Sequence, residues 1–380
     1  EKDMATTYKK LDRETDIRSV KTKIHEVIPI TGSIVSGTYG GTTVEMNSEP
    51  NIRTYAHGMF QSVYDYPYLS SSANHLFDLT LGVWPSGTYG PEGGLPTVTG
   101  SDDKKNIYQQ MAQILVGHDI TGNIKPFDHL GAITSSDAQK FHSALFMPFS
   151  RLLVKDEIEK ESFSMVMGTS SHIDPQQTTQ TVSDLKASTQ FKSNSPAGEY
   201  GILYTGSVPA SEAAVGLIFY QAGVVVLDIG SDGNYVTGLA PFIEAGGDEE
   251  LDAMANGFLS SSIHGLLAAT ASIQSGTIDE FSGEIRRRIQ SIEFRNTTEL
   301  NSTVYFARAN ANEFNYSSNP TYITSSKIRV KTEKNDAPVS YITTVGLYSA
   351  DNVLLATAKL SEPLKKSPNT DFTLRVRLDY

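Results

Sequence analysis

The strongest constraint on the fold lies in residues 372–380, where the side chains alternate strictly. Phe372, Leu374, Val376, Leu378 and Tyr380 share one face, and Thr373, Arg375, Arg377 and Asp379 share the other. A period of two describes a β-strand with one wet face and one that must be covered. Just upstream, residues 341–348 are rich in β-branched and aromatic side chains, and 353–360 form a second such run. Ser349, Ala350, Asp351 and Asn352 between them supply turn chemistry, so the pair reads as a hairpin with a four-residue loop. The last strand is expected to be tied into a sheet, with Arg375 and Arg377 pointing outward toward a partner.

Composition agrees with a β-rich chain. Of 380 residues, 39% are hydrophobic and 19% charged; both fractions are low, and Ser, Thr, Asn, Gln and Gly make up the difference. The length allows two or three cores. A net charge of -12 argues against wrapping a nucleic-acid backbone. The one tight basic run, Arg286, Arg287 and Arg288, reads as a solvated or interface face rather than a nucleic-acid site. Cysteine is absent, which excludes disulfides and thiolate chemistry and fits assembly in a reducing cytoplasm. No apolar run is long enough to cross a bilayer as a helix, so no membrane partner is expected.

Patterning along the chain suggests a mixed α/β N-terminal region over 1–168, a polar Ser/Thr/Gln-rich linker at 169–200, and a β-domain over 201–380. Within the first region, Ile107, Met111, Ile114 and Leu115 make one stripe of a helix from about 101 to 117, capped by Ser101 or Asp102. A second helix is predicted from about 135, carrying Phe141, Leu145 and Phe146 until Pro148 ends it. Phe163, Met165 and Met167 alternate as a strand. Residues 215–220 and 224–228 form an apolar hairpin, strands resume at 289–294 and 303–307, and 246–285 reads as a helical insertion. The expected fold class is α+β, predominantly β: a mixed N-terminal domain followed by a C-terminal antiparallel β-sandwich carrying that insertion.

Catalytic signatures are missing. The sequence holds no Gly-x-Ser-x-Gly, no phosphate-cradling Gly-x-x-x-x-Gly-Lys and no Gly-x-Gly-x-x-Gly. His25 and Glu26 begin like a zinc-protease helix, but position 29 is Pro, and the other histidines keep no ligand spacing. Asp228 to Gly233 resembles a calcium loop whose third ligand position is Gly230 and whose bidentate position is Leu239, so it reads as a turn. No catalytic residue, cofactor, metal or small-molecule substrate is assigned, and the chain is expected not to be an enzyme.

Three stretches carry a resemblance: 216–227; 294–306 with 313–322; and 341–348 through 354–356 to 375–380. Together they are similar to structural proteins of tailed-bacteriophage virions, contractile-tailed phages of the T4-like and marine type above all. The resemblance implies a baseplate wedge or tail-end protein, located in the virion and assembled in the host cytoplasm. Its partners would be other virion proteins and copies of itself. A neck, collar or capsid-associated role belongs to the same class, and a glycan-binding or glycan-cleaving tail protein is the alternative of another class. Such a protein works through interfaces, which favour aromatics and arginine. The candidates are Tyr64, Tyr66, Tyr68, Arg286, Arg287, Arg288, Phe314, Tyr316, Arg375 and Arg377.

Overall fold

A computed structural model of the protein describes residues 8–34, 49–85, 101–131, 140–141, 143–168, 179–205, 214–228, 277–316, 323–324, 327–328 and 339–380. Strands dominate and are joined antiparallel, with few helices, as the patterning requires. The chain divides into a larger unit, residues 25–298, and a smaller one formed from 1–24 and 299–380. The division falls inside two long strands, β1 (Ile17–Pro29) and another over Ile289–Ala309.

The larger unit is built on one broad sheet. In chain order its strands are β2 (Ile52–Thr54), β3 (Gln61–Tyr64), β4 (His75–Val83), β5 (Ser143–Pro148), β6 (Glu157–Ile158), β7 (Ser164–Gly168), β8 (Thr179–Ser183), β9 (Lys192–Ser195), β10 (Gly198–Thr205), β11 (Ala214–Phe219), β12 (Val224–Asp228) and the first part of β13 (Ile289–Ala309). Across the sheet they run β13, β7, β8, β10, β11, β12, β5, β4, β3, β2, while β6 pairs with β13 and β9 with β10. Strands β11 and β12 are buried on both faces, which is why their sequences are unbroken apolar runs rather than alternating ones. Gly223, at φ +68°, takes the left-handed turn between them.

Two expectations fail here for a shared reason. Residues 143–148 form strand β5, not the end of a helix: Val225 pairs with Met147 and Leu81 with Leu145. A short run buried on both faces has no period that separates strand from helix, and pairing partners decide the outcome. Likewise, the described part of the expected linker, 179–200, supplies β8, β9 and the start of β10. Met165 pairs with Val182 across it, so the polar composition belongs to paired strands and not to a boundary. The apolar hairpin β11–β12 joins β5 from the first half rather than a separate C-terminal domain.

Helix α1 (Ser101–Leu115) forms over the span that the apolar spacing predicts. Its buried apolar residues are Ile107, Tyr108, Ala112 and Leu115; Ile114, expected in the stripe, is exposed. Tyr108 sits in an aromatic cluster with Phe127 at 5.3 Å and Phe146 at 6.1 Å, both near perpendicular. Fully burying rings of this size contributes about 1.5–3 kcal/mol each. Two single-turn helices, α2 (Arg151–Val154) and α3 (Ala187–Gln190), sit in connections, and α4 (Ile278–Arg288) runs into β13. Helix α4 is the described end of the predicted insertion; the remainder of 246–285 lies outside the described residues.

The smaller unit pairs the second part of β13 with β18 (Phe372–Asp379), from Ser302 opposite Asp379 to Ala309 opposite Phe372. Strands β16 (Ser340–Tyr348) and β17 (Leu354–Lys366) make a two-stranded sheet, and β14 (Ile323–Thr324) with β15 (Lys327–Ile328) makes another. Among its described residues the buried apolar side chains are Val304, Ala309 and Val376. A two-stranded sheet with so little beneath it is marginal in water.

Candidate protein interface

Residues 310–316 form a turn held by groups the sequence does not advertise. Lys366, fully buried, donates from Nζ to Asn315 Oδ1 at 2.8 Å, to the Ser367 carbonyl at 2.9 Å and to the Ala311 carbonyl at 3.1 Å. Ser340 Oγ donates to the Phe314 carbonyl. Glu313 takes Lys9 Nζ at 2.6 Å and the Asn310 amide at 3.1 Å, and those donors hold its carboxyl below the usual range. Inside this clamp Phe314 adopts φ +55°, a left-handed backbone that a bulky side chain enters only under constraint. Its ring is 42% exposed, and Tyr316 beside it is 54% exposed. The turn therefore spends backbone strain to present two aromatic rings to solvent.

The β16–β17 hairpin has two unlike faces. Ile342 opposite Leu364, Val345 opposite Ala358 and Leu347 opposite Ala356 are half-buried. The other face, with Tyr341 opposite Lys365, Thr344 opposite Lys359 and Tyr348 opposite Leu354, is exposed. Leu355 stands 69% exposed near the tip. Between the pairs Ile342–Leu364 and Thr344–Lys359 the register jumps, leaving Leu360 to Pro363 as a bulge. Proline has no amide hydrogen to give a ladder, so a bulge is where it fits.

Strand β18 keeps its alternation: Phe372, Leu374 and Leu378 are half-buried, Val376 is buried, and Thr373, Arg375, Arg377 and Asp379 are exposed. Tyr380, expected on the inner face, is exposed at the end of the strand; its amide donates to the Asn301 carbonyl at 2.9 Å, and its hydroxyl lies 2.9 Å from Thr303 Oγ1. The two arginines differ. Arg377 donates from Nε to Asp379 at 2.6 Å and from Nη2 to Ser302 Oγ at 2.9 Å, so it is engaged within its own sheet. Arg375 is exposed on the same face.

In the larger unit, Tyr66 and Tyr68 are exposed while Tyr64 is half-buried, with its ring 6.4 Å from Tyr68 and 5.5 Å from His75. Of these three interface candidates, two are thus exposed. The arginine run does not fit that expectation. Arg286 and Arg288 are each 1% exposed, and Arg286 Nη2 lies 2.5 Å from Glu49 Oε2. Arg287 occupies α4 between them. A helix that packs against β3 and β4, with Gln61 Nε2 donating to Asp279 at 2.9 Å, turns these positions inward. Consecutive charges look solvated in a sequence because burial partners are not adjacent to them.

Buried polar groups elsewhere meet partners within the larger unit. His129 Nδ1 lies 3.0 Å from the Ala214 carbonyl, and Nε2 lies 2.9 Å from Asp228 Oδ2. Both side chains are buried; the rest of the calcium-loop-like stretch, 229–239, lies outside the described residues. Asp184 accepts the amides of Glu161 at 2.7 Å and Phe163 at 3.0 Å, pinning the turn before β7. Burial pushes its carboxyl up to about 7 despite those donors. His25, considered as a zinc ligand, lies on β1 rather than on a helix. Among the described residues no group of three or more His, Asp or Glu is placed to hold a metal ion. A cavity of about 160 Å³ is lined by Asp128, Lys140, Asn194, Tyr200 and Phe219 among others; the Tyr200 hydroxyl donates to Asn194 at 2.7 Å.

Comparison of the chain with protein-family models, with curated proteins and with solved structures finds no match in any of the three.

Proposed function

We propose that the protein is a non-catalytic structural component of a tailed-phage virion, a baseplate-wedge or adjoining tail-end protein that acts through protein–protein interfaces. Neck, collar and capsid-associated positions belong to the same reading. The supporting observation is the imbalance of the smaller unit. It buries Val304, Ala309 and Val376, yet among the described residues it holds eleven of the eighteen large apolar side chains that are exposed. Scattered single apolar residues on a surface need no explanation, but a unit whose apolar side chains are mostly outside its own core is built to be covered. The strained Phe314 turn and the exposed hairpin face lie in this same unit.

The resemblance in 216–227, 294–322 and 341–380 supplies the kind of assembly. Partners are other virion proteins and copies of the same chain, met in the host cytoplasm. The test is a mass-spectrometric inventory of purified particles, with the chain then placed in low-resolution density. Its presence in stoichiometric amount is expected; consistent absence from intact particles overturns the reading.

A further inference from the structure

We infer that the smaller unit docks, through the outer face of the β16–β17 hairpin, onto the acidic larger unit of a second copy of the chain. The inference rests on the proposed assembly role and names the partner. Charge is divided unevenly. The smaller unit holds 17 Lys and Arg against 13 Asp and Glu, while the larger unit holds 14 against 30. A chain with a net charge of -12 thus carries a positive module on a strongly negative one. Complementary fields of this kind steer association and select the partner.

The hairpin combines what such a contact needs. Tyr341, Tyr348, Leu354 and Leu355 give it exposed apolar area, and Lys359 and Lys365 stand on the same exposed strands. The charges paired on this face are Lys359 and Lys365, while the hairpin's exposed acids, Asp351 and Glu362, sit in its turn and bulge; the face therefore suits an acidic surface better than a second hairpin, because two hairpins face to face would set lysine against lysine. The contact is therefore between unlike surfaces, head to tail. Such a contact closes into a ring or continues as a fibre according to its rotation.

The experiment uses the full chain. Sedimentation velocity at about 0.05 M and about 0.5 M salt, which shortens the screening length from roughly 14 Å to roughly 4 Å, should show self-association at the lower salt that weakens at least tenfold at the higher. Lys359→Glu with Lys365→Glu should abolish it, and Leu355→Asp should weaken it, with far-ultraviolet circular dichroism and melting temperature unchanged. Ile120→Asp, at an exposed apolar site of the larger unit, serves as the matched substitution.

Carbodiimide cross-linking of mixed nitrogen-14 and nitrogen-15 protein then identifies the surface. Mixed-isotope links from Lys359 or Lys365 to carboxylates within residues 25–298 are expected. A monomer at every concentration, association indifferent to salt and to the lysine reversals, or mixed links confined to carboxylates within 299–380 would each overturn the inference. A chain found in particles but monomeric when pure would end this inference and leave the virion reading standing. A self-associating chain absent from particles would do the reverse.

Discussion

The Tyr220 hydroxyl donates to Asp184 Oδ2 at 3.0 Å, and both groups are buried. With the amides of Glu161 and Phe163 it completes a three-donor shell around one carboxyl group, so β8, β11 and the turn before β7 meet at a single side chain. Desolvation raises the folded-state carboxyl to about 7, above the ordinary 3.8, and raises Tyr220 as well. The folded protein therefore holds this proton more tightly than the unfolded chain. Its contribution to stability is complete below about pH 4 and is lost as pH rises through about 7, with a slope of at most about 1.4 kcal/mol per pH unit. Thermal melts from pH 5 to 8 should show this decline, and Asp184→Asn should remove it. A decline of the same size in the Asn variant would assign it elsewhere.

The exposed carboxylates work in the opposite direction. Asp119, Glu299, Glu313 and Asp379 are all held below their ordinary values by side-chain donors, Thr121, Lys23, Lys9 and Ser302 foremost. A depressed folded value gives stability above the unfolded value that is lost as pH falls through the folded one. Melting temperature should thus drop again below about pH 4, leaving a maximum in the mildly acidic range. Added salt should flatten the acid limb more than the alkaline one, since these groups are at the surface.

Gly82 on β4 lies against helix α1: a Cβ there would meet the Tyr108 amide nitrogen at 2.8 Å and the Phe146 ring at 2.9 Å. The obstacle is helix backbone, which cannot swing aside. Gly82→Ala should cost about 1–3 kcal/mol in denaturant unfolding and loosen the aromatic cluster. An unchanged midpoint would mean that α1 does not pack this closely on β4.

Lys366 is the keystone of the 310–316 turn. Lys366→Met keeps the length of the chain and removes all three hydrogen bonds, which should cost about 2–3 kcal/mol. Hydrogen exchange should accelerate over 311–316 before it does so elsewhere. Uniform protection across the variant would place the turn's order in other contacts.

Phe314 separates strain from function. Phe314→Gly relieves the left-handed backbone and gives up the ring, so stability should stay within about 1 kcal/mol of the natural protein, on the favourable side. Self-association or incorporation into particles should fall nonetheless. A loss of stability with binding intact would show that the ring serves the unit's own packing.

Arg375 and Arg377, alike in the alternation, should behave differently. Arg377→Ala strips the Ser302 and Asp379 contacts and should lower the melting temperature slightly, less so at high salt. Arg375→Ala should leave melting unchanged. Any defect it causes should appear in assembly.

Much of the β architecture was legible in the sequence. The alternation of 372–380, the apolar hairpin at 214–228 and the strand at 164–168 all follow from period-two patterning or from runs buried on both faces. Helix α1 followed from its apolar spacing. What was not legible depended on partners distant in sequence. Strand β5 resembled a helix because Leu145 and Phe146 become strand residues only by pairing with β4 and β12. Polar 179–200 resembled a linker because Ser, Thr and Gln on a paired strand have the composition of a loop. Among the candidate interface residues, Tyr66, Tyr68, Phe314, Tyr316, Arg375 and Arg377 are exposed, whereas Arg286 and Arg288 are buried. Lys366 gave no signal at all: a lysine beside two prolines reads as surface until its three acceptors are in place.

The bulge at Leu360 to Pro363 governs how the exposed hairpin can be used without harm. An isolated hairpin with bare strand edges and apolar side chains is a template for uncontrolled cross-β growth. Here the ladder is broken between Ile342–Leu364 and Thr344–Lys359, and Pro363 offers no amide to an incoming strand. No continuous strand of another molecule can follow β17 from end to end. The element is left open to contact through its faces, while the break in its ladder and Pro363 interrupt the edge that strand addition would use.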